Sequence, residues 1–186
     1  MFFTKRLPCA TLEEWNAAIS EIRAGRYGVI ETKAGRLVSI HLRCWPKLID
    51  LPDLWPVGDR HHRRGPTDCC WLYYNQPRRF PNFLALKYLV TSQATNYSTL
   101  RVALKTLDAV AELKQTDALL CDAANHRISD RSLARQGWQA HKPQRWHRNF
   151  IKRFFVYGNA AVSFDGEAFD RFADRRLVRG RCRPRG

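Results

Sequence analysis

Acidic side chains are scarce in this chain of 186 residues: 17 Asp and Glu stand against 32 Lys and Arg, 24 of them Arg, leaving a net charge of +15. Such a surface attracts polyanions, among them nucleic acid, anionic membranes and phosphate-bearing small molecules. Arginine usage of this kind also follows from a GC-rich genome, so the charge bears on partners and not on fold. Long apolar runs are missing too. Nowhere do about 18 apolar residues follow one another, which excludes a membrane-spanning helix. The opening MFFTKRLPCATLEEW has no apolar stretch of signal-peptide length, so a cytoplasmic protein with no membrane partner is expected. Cysteines at 9, 44, 69, 70, 121 and 182 make no CxxC, and adjacent Cys69 and Cys70 are badly placed to share one tetrahedral ion. Reduced, partly buried thiols and no metal are therefore expected. There is no internal repeat and no recognised nucleic-acid motif.

What is present is ample core material. With 45% apolar residues the chain is long enough to form one domain without disulfide or metal staples. In ATLEEWNAAISEIRAG, Thr11 and Glu14 have capping-box spacing, Leu12, Trp15, Ala18, Ile19 and Ile22 recur at helical spacing, and Gly25 supplies a stop. YGVIETKAGRLVSIHL predicts two strands joined around Lys33-Ala34-Gly35-Arg36. From Cys44 to Asp68 the chain turns loop-like, with four Pro and the run DRHHRRG at 59–65. There His61 and His62 are candidate ligands or acid-base groups, or simply part of a solvated basic loop.

CCWLYYN then predicts a short aromatic strand and FPNFLALKYLVT a longer one, apolar on both faces and so central to a sheet. NYSTLRVALKTLDAVAELKQ is the strongest helix, with Leu100, Ala103, Leu104, Leu107, Val110, Ala111 and Lys114 on one stripe and Asn96 or Ser98 as its cap. DALLCDA follows as a buried strand, SDRSLARQ as a short helix capped by Ser129 and stopped by Gly137, and WQAH and RNFIKRFFVYG as the last strands. The order predicts an α/β fold, a sheet with helices on both faces. Asn125 then falls at the carboxyl end of a strand, where α/β sheets bind ligands.

The stretch from about Phe83 to Phe155 resembles the core of the GCN5-related N-acetyltransferase superfamily. The matching pieces are LALKYLVT, QATNYS, DALLCDAAN and the Gly137-Trp138 pair. The resemblance implies a mixed central sheet of acyl-CoA N-acyltransferase type, filling one domain over residues 1–178, with a basic tail at 179–186. It implies acetyl-CoA or another acyl-CoA as co-substrate and an amine as acceptor. Leu89, Val90 and Thr91 would hold the pantetheine arm by backbone edge, Gln93, Asn96, Tyr97 and Ser98 the pyrophosphate from a loop at a helix N-terminus, and Asn125 the far end of the cofactor. A helix start suits pyrophosphate because its amides are unpaired and its end carries partial positive charge. The chain departs from the family pattern where Asn96 and Ser98 replace small residues. Leu133 stands four before Gly137, where the family often carries a proton-donating Tyr, which leaves Tyr88, Tyr97 or Ser132 for that role. Glu31 and His41 are candidates for deprotonating the acceptor.

The charge supports a second reading. Between His126 and Arg153 there are eight Lys or Arg and one acid, interleaved with Trp138, Trp146 and Phe150, and 171–186 adds seven Arg against one Asp. Basic residues among aromatics hold phosphates and stack bases, so nucleic acid is a possible partner of 126–153 and 171–186. An acyltransferase fold kept only as a binding module is the third reading. Phe164, Phe169, Phe172 and Leu177 predict a last amphipathic helix.

Overall fold

A computed structural model describes residues 4–45, 68–92, 94–123, 129–141 and 148–154. The elements run β1 (Thr4–Pro8), α1 (Leu12–Ala24), β2 (Tyr27–Lys33), β3 (Arg36–Arg43), β4 (Cys69–Asn75), β5 (Phe83–Thr91), α2 (Tyr97–Leu113), β6 (Ala118–Ala123), α3 (Asp130–Arg135), β7 (Gln139–Ala140) and β8 (Arg148–Arg153). Gln93, Asn125, His61, His62, the expected helix near Phe164–Leu177 and the tail from 179 lie outside the described residues.

Local chemistry accounts for several boundaries. At α1, Thr11 Oγ1 accepts from the Glu14 amide at 3.2 Å while Glu14 Oε2 accepts from the Thr11 amide at 3.1 Å. This reciprocal pairing satisfies two orphan donors of the helix start. Trp15, Ala18 and Ile22 then turn into the core. Lys114 and Arg23 fasten the far ends of α1 and α2 together: Lys114 Nζ donates to the Arg23 carbonyl at 3.0 Å, and Arg23 Nε donates to the Leu113 carbonyl at 3.2 Å. Cations at helix C-termini complement the dipole there.

The β2–β3 turn holds Ala34 at φ 48° and Gly35 at φ 70°. Two positive φ values give the hairpin turn whose twist matches the strands. Glycine takes that geometry freely, whereas the Ala34 Cβ costs about 1 kcal/mol. Ala34→Gly is therefore expected to raise the denaturant midpoint, with a gain of about 0.5–1 kcal/mol; an unchanged or lower midpoint would count against strain at this turn.

Eight strands form one sheet in the order β1-β3-β2-β4-β5-β6-β8-β7. Neighbours are antiparallel except β5 and β6, which run parallel, so the sheet is mixed and the class α/β. β1 is an element that the sequence pattern does not predict; it pairs with β3 from Thr4↔Arg43 to Pro8↔Ser39 at the sheet edge.

Thr32 Oγ1 donates to the Thr99 carbonyl at 3.2 Å, which sets Thr32 and the alternate residues of β2 beneath α2. On that side Ile30, Ile40, Leu72 and Leu84 join α1 and α2 in one buried cluster. Lys152 of β8 meets Asp108 of α2 at 2.7 Å, and a Cβ placed on Gly137, just after α3, would lie 3.3 Å from the Lys152 stem. The described helices thus gather on one face, and the helix expected near 164–177 lies outside the described residues. The other face carries half-buried Glu31, His41, Trp71, Tyr73 and Tyr88 together with buried Tyr27, Val29 and Ile151, and no described helix packs on it.

Candidate functional site

The parallel pair opens partway along. Its register runs from Phe83↔Ala118 to Leu86↔Cys121. Beyond that point β5 continues beside β4 to Thr91, while β6 continues beside β8 to Ala123. The cause sits at the same place: Tyr73 pairs Tyr88 and Tyr74 pairs Leu86, so Lys87 is an extra residue in β5. A bulge bends its strand and increases the local twist. Here it coincides with the point where β5 leaves β6. In consequence Tyr88, Leu89, Val90 and Thr91 are only half-buried, although β5 is the fifth of eight strands.

The link from β5 into α2 is held to the start of β4. Ser92 and Cys69 exchange bonds: the Ser92 amide donates to the Cys69 carbonyl at 2.9 Å, and Ser92 Oγ accepts from the Cys69 amide at 3.0 Å. Thr95 Oγ1 donates to the same carbonyl at 2.8 Å. Asn96 is the N-cap residue of α2, yet its side chain makes no cap bond. Its amide and its Nδ2 donate to the two carboxylate oxygens of Asp68 at 2.8 and 3.0 Å. Asp68 in turn accepts from the Ala34 amide at 3.0 Å through its carbonyl, and the Gly35 amide donates to Thr99 Oγ1 at 2.7 Å. The hairpin and the start of α2 are thereby one fastened unit. Of the two predicted caps, Asn96 is turned away to Asp68 and Ser98 sits inside the first turn. That turn carries no acid of its own, and the one carboxylate bound at the helix start, Asp68, engages the amide and side chain of Asn96, one residue before Tyr97.

Tyr97 and Ser132 are brought together. Gln136 Nε2 donates to the Tyr97 hydroxyl at 2.8 Å. That bond, with Ser132, Arg101 and Arg135 close by, holds the phenol below its ordinary pKa. Tyr88 stands apart on the face opposite the helices, edge-on to Tyr73 with ring centres 6.3 Å apart.

Glu31 and His41 also meet, in a network that sequence spacing only half reveals. His41 Nε2 lies 3.0 Å from Glu31 Oε2, Ser39 Oγ donates to the same oxygen at 2.7 Å, and Arg6 Nε donates to Ser39 Oγ at 3.3 Å. Burial pushes the Glu31 carboxyl up, but the bonds from His41 and Ser39 outweigh it, and its pKa lies below the ordinary value. An ionised Glu31 requires Nε2 of His41 to be the donor, which leaves Nδ1 as the basic nitrogen of the neutral ring. The hairpin register makes Glu31 and Ser39 partners, but Arg6 enters from β1, and no sequence signal places it there. Across the sheet, Ser39, Glu31, Trp71 and Val90 form one lateral row ending on the parted half of β5.

Part of the basic segment serves the fold. Arg148 pairs with Asp130, Lys152 with Asp108, and Arg153 donates to Gln139 at 3.1 Å. Cys9, Cys69 and Cys70 are buried cysteines in no disulfide, Cys121 is half-buried, and Cys44 is exposed. Among the described residues no three His, Cys, Asp or Glu gather to hold a metal, and no helix is long and apolar enough to cross a membrane. No family model matches the sequence, and no curated protein matches it.

Proposed function

We propose that the chain is an acyl-CoA-dependent N-acyltransferase that passes an acetyl or other acyl group to an amine. The observation that carries this reading is the parting of β5 from β6 at the Lys87 bulge, in the strand that leads into α2. An extended pantetheine arm has amide groups that suit the strand edge at Leu89, Val90 and Thr91. A pyrophosphate suits the amides of Tyr97 and Ser98, at a helix start whose first turn has no acid of its own. Asp68 already occupies the Asn96 amide, so the phosphates are read as lying one residue further into the helix than the spacing implies.

In the reaction a neutral amine attacks the thioester carbon, the C–S bond breaks, and the thiolate leaves and takes up a proton. The proton lost by the amine goes to the Glu31–His41 pair. Glu31 on β2 lies two strand spacings from β5 and His41 on β3 lies three, about 10 and 14 Å, distances that call for water to relay the proton.

The test is a thermal-shift titration with acetyl-CoA and desulfo-CoA, using a short RNA as the control polyanion, followed by thiol release with a panel of amines. Ligand at a hundredfold its Kd stabilises the native state by about 2.7 kcal/mol, about 5–10 °C for a chain of this size. A shift with the CoA species and thiol release that depends on amine are expected. Absence of both would end this reading, and a shift with RNA alone would assign the arginines to nucleic acid.

A further inference from the structure

We infer that Tyr97, Arg101 and Arg135 seat the 3′-phosphoadenosine end of the donor, so that the substrate is a free acyl-CoA and not an acyl group on a carrier-bound phosphopantetheine. The inference rests on the acyl-CoA reading above and adds to it the part of the donor that the strand edge and helix start do not touch.

Tyr97 is the first residue of α2 and is 51% exposed, an unusual place for a large aromatic ring. Its tip is tied down across the gap to α3 by Gln136, so the ring is held although it faces solvent. A held, exposed ring is a platform on which a base stacks with little ordering cost, and such stacking contributes about 1–3 kcal/mol per base. Arg101 lies one turn further along α2, on the stripe of Tyr97, and Arg135 directly precedes Gln136. Both are exposed, and both act electrostatically on the Tyr97 hydroxyl. Two guanidinium groups beside an aromatic shelf match a purine that carries a phosphate, since arginine binds phosphate through paired donors. Of the carboxylates on neighbouring elements, Asp68 holds Asn96, Asp108 pairs with Lys152, and Asp130 holds Arg148. If the Tyr97–Gln136 bond served only to join α2 to α3, its loss would lower stability without discriminating among nucleotides.

The experiment is calorimetric titration of the full chain with CoA, with dephospho-CoA, which lacks the 3′-phosphate, and with 4′-phosphopantetheine, which lacks the nucleotide. The wild-type chain is expected to bind CoA about tenfold tighter than dephospho-CoA. The double variant Arg101→Gln/Arg135→Gln is expected to lose that difference while keeping its affinity for phosphopantetheine. Tyr97→Ala is expected to weaken both nucleotide-bearing ligands about tenfold and to leave phosphopantetheine unaffected, whereas Tyr97→Phe keeps the ring and most of the affinity. Equal binding of CoA and dephospho-CoA by the wild-type chain overturns this inference alone, as does an equal loss for all three ligands in the variants. Failure of every CoA species to bind overturns the acyltransferase reading with it. RNA binding that the arginine variants abolish, without CoA binding, gives the patch to nucleic acid and overturns both.

Discussion

Gly28→Ala is expected to destabilise the chain by about 2–3 kcal/mol and to weaken CoA binding, although Gly28 touches neither proposed subsite. A Cβ at Gly28 would lie 2.5 Å from both Cζ and the hydroxyl oxygen of Tyr74 and 2.7 Å from Cε1. Side chains do not approach so closely, so the ring or a strand must move. Tyr74 has no exposed surface and lies directly opposite Gly28 in the β2–β4 register. Overpacking of such a site costs typically 1–3 kcal/mol. The same tyrosine flanks the register shift that leaves Lys87 outside the ladder, so a displaced Tyr74 disturbs the bulge that parts β5 from β6. Tyr74→Phe does not relieve the clash, because Cζ persists in phenylalanine. By itself that variant is expected to be neutral or stabilising by up to about 1 kcal/mol, since the buried hydroxyl has no hydrogen-bond partner. Tyr74→Leu opens space, and the double variant Gly28→Ala/Tyr74→Leu should lose less than the two single losses added together. Denaturant midpoints of the four variants check the cycle. Simple additivity would show that the two residues do not press on each other.

Much of the architecture is legible in the sequence wherever the determining interaction is local. The Thr11–Glu14 capping box, the Ser129 cap and Gly137 at φ 83° all form where spacing places them, because each depends on residues within one turn. The α2 stripe is also legible: Ala103, Leu104, Leu107, Val110 and Ala111 are buried. Features set by distant partners are not. β1 has five residues, among them Lys5, Arg6 and Pro8, which suits an edge strand and gives no apolar alternation to detect. Asn96 looks like a cap until Asp68, 28 residues earlier, takes its side chain. The bulge left a trace that is plain only afterwards: core-facing Leu84, Leu86 and Leu89 step by two and then by three, with exposed Lys87 between them. A strand predicted as uniformly central proves to be central in position and half-covered beyond that step. Glu31 and His41 are placed together by the hairpin register, whereas Arg6, which completes their network, depends on the strand that local pattern does not reveal.

Lys152→Met is expected to be the most damaging single change, costing about 3 kcal/mol near pH 7. Lys152 pairs with Asp108 at 2.7 Å between β8 and α2, and both side chains are about four-fifths covered. The second carboxylate oxygen of Asp108 is buried without a hydrogen-bond partner, so removing the lysine leaves the charge with only the more distant influence of Lys105. Burial pushes the Asp108 pKa up, against the lowering influence of Lys152 and Lys105, and Glu112 is pushed up by burial and by Asp108. A carboxyl whose folded value is raised favours the native state below its unfolded value, and that benefit is lost as pH rises through the folded value. Deleting Lys152 removes a lowering influence and raises the folded value further. The deficit of the variant relative to wild type should therefore shrink as pH falls from about 7 to about 5, where Asp108 takes up its proton more readily. Replacing both partners, as in Asp108→Leu/Lys152→Met, should bring stability back to within about 1 kcal/mol of wild type, because the buried charge is gone along with its counter-ion. Denaturation at the two pH values separates this account from simple loss of packing by the lysine stem against Gly137, for which the deficit would be independent of pH and the second substitution would deepen it. Since α2 carries the proposed phosphate site at its other end, the single variant should also bind CoA more weakly, and the double variant should recover that affinity together with its stability.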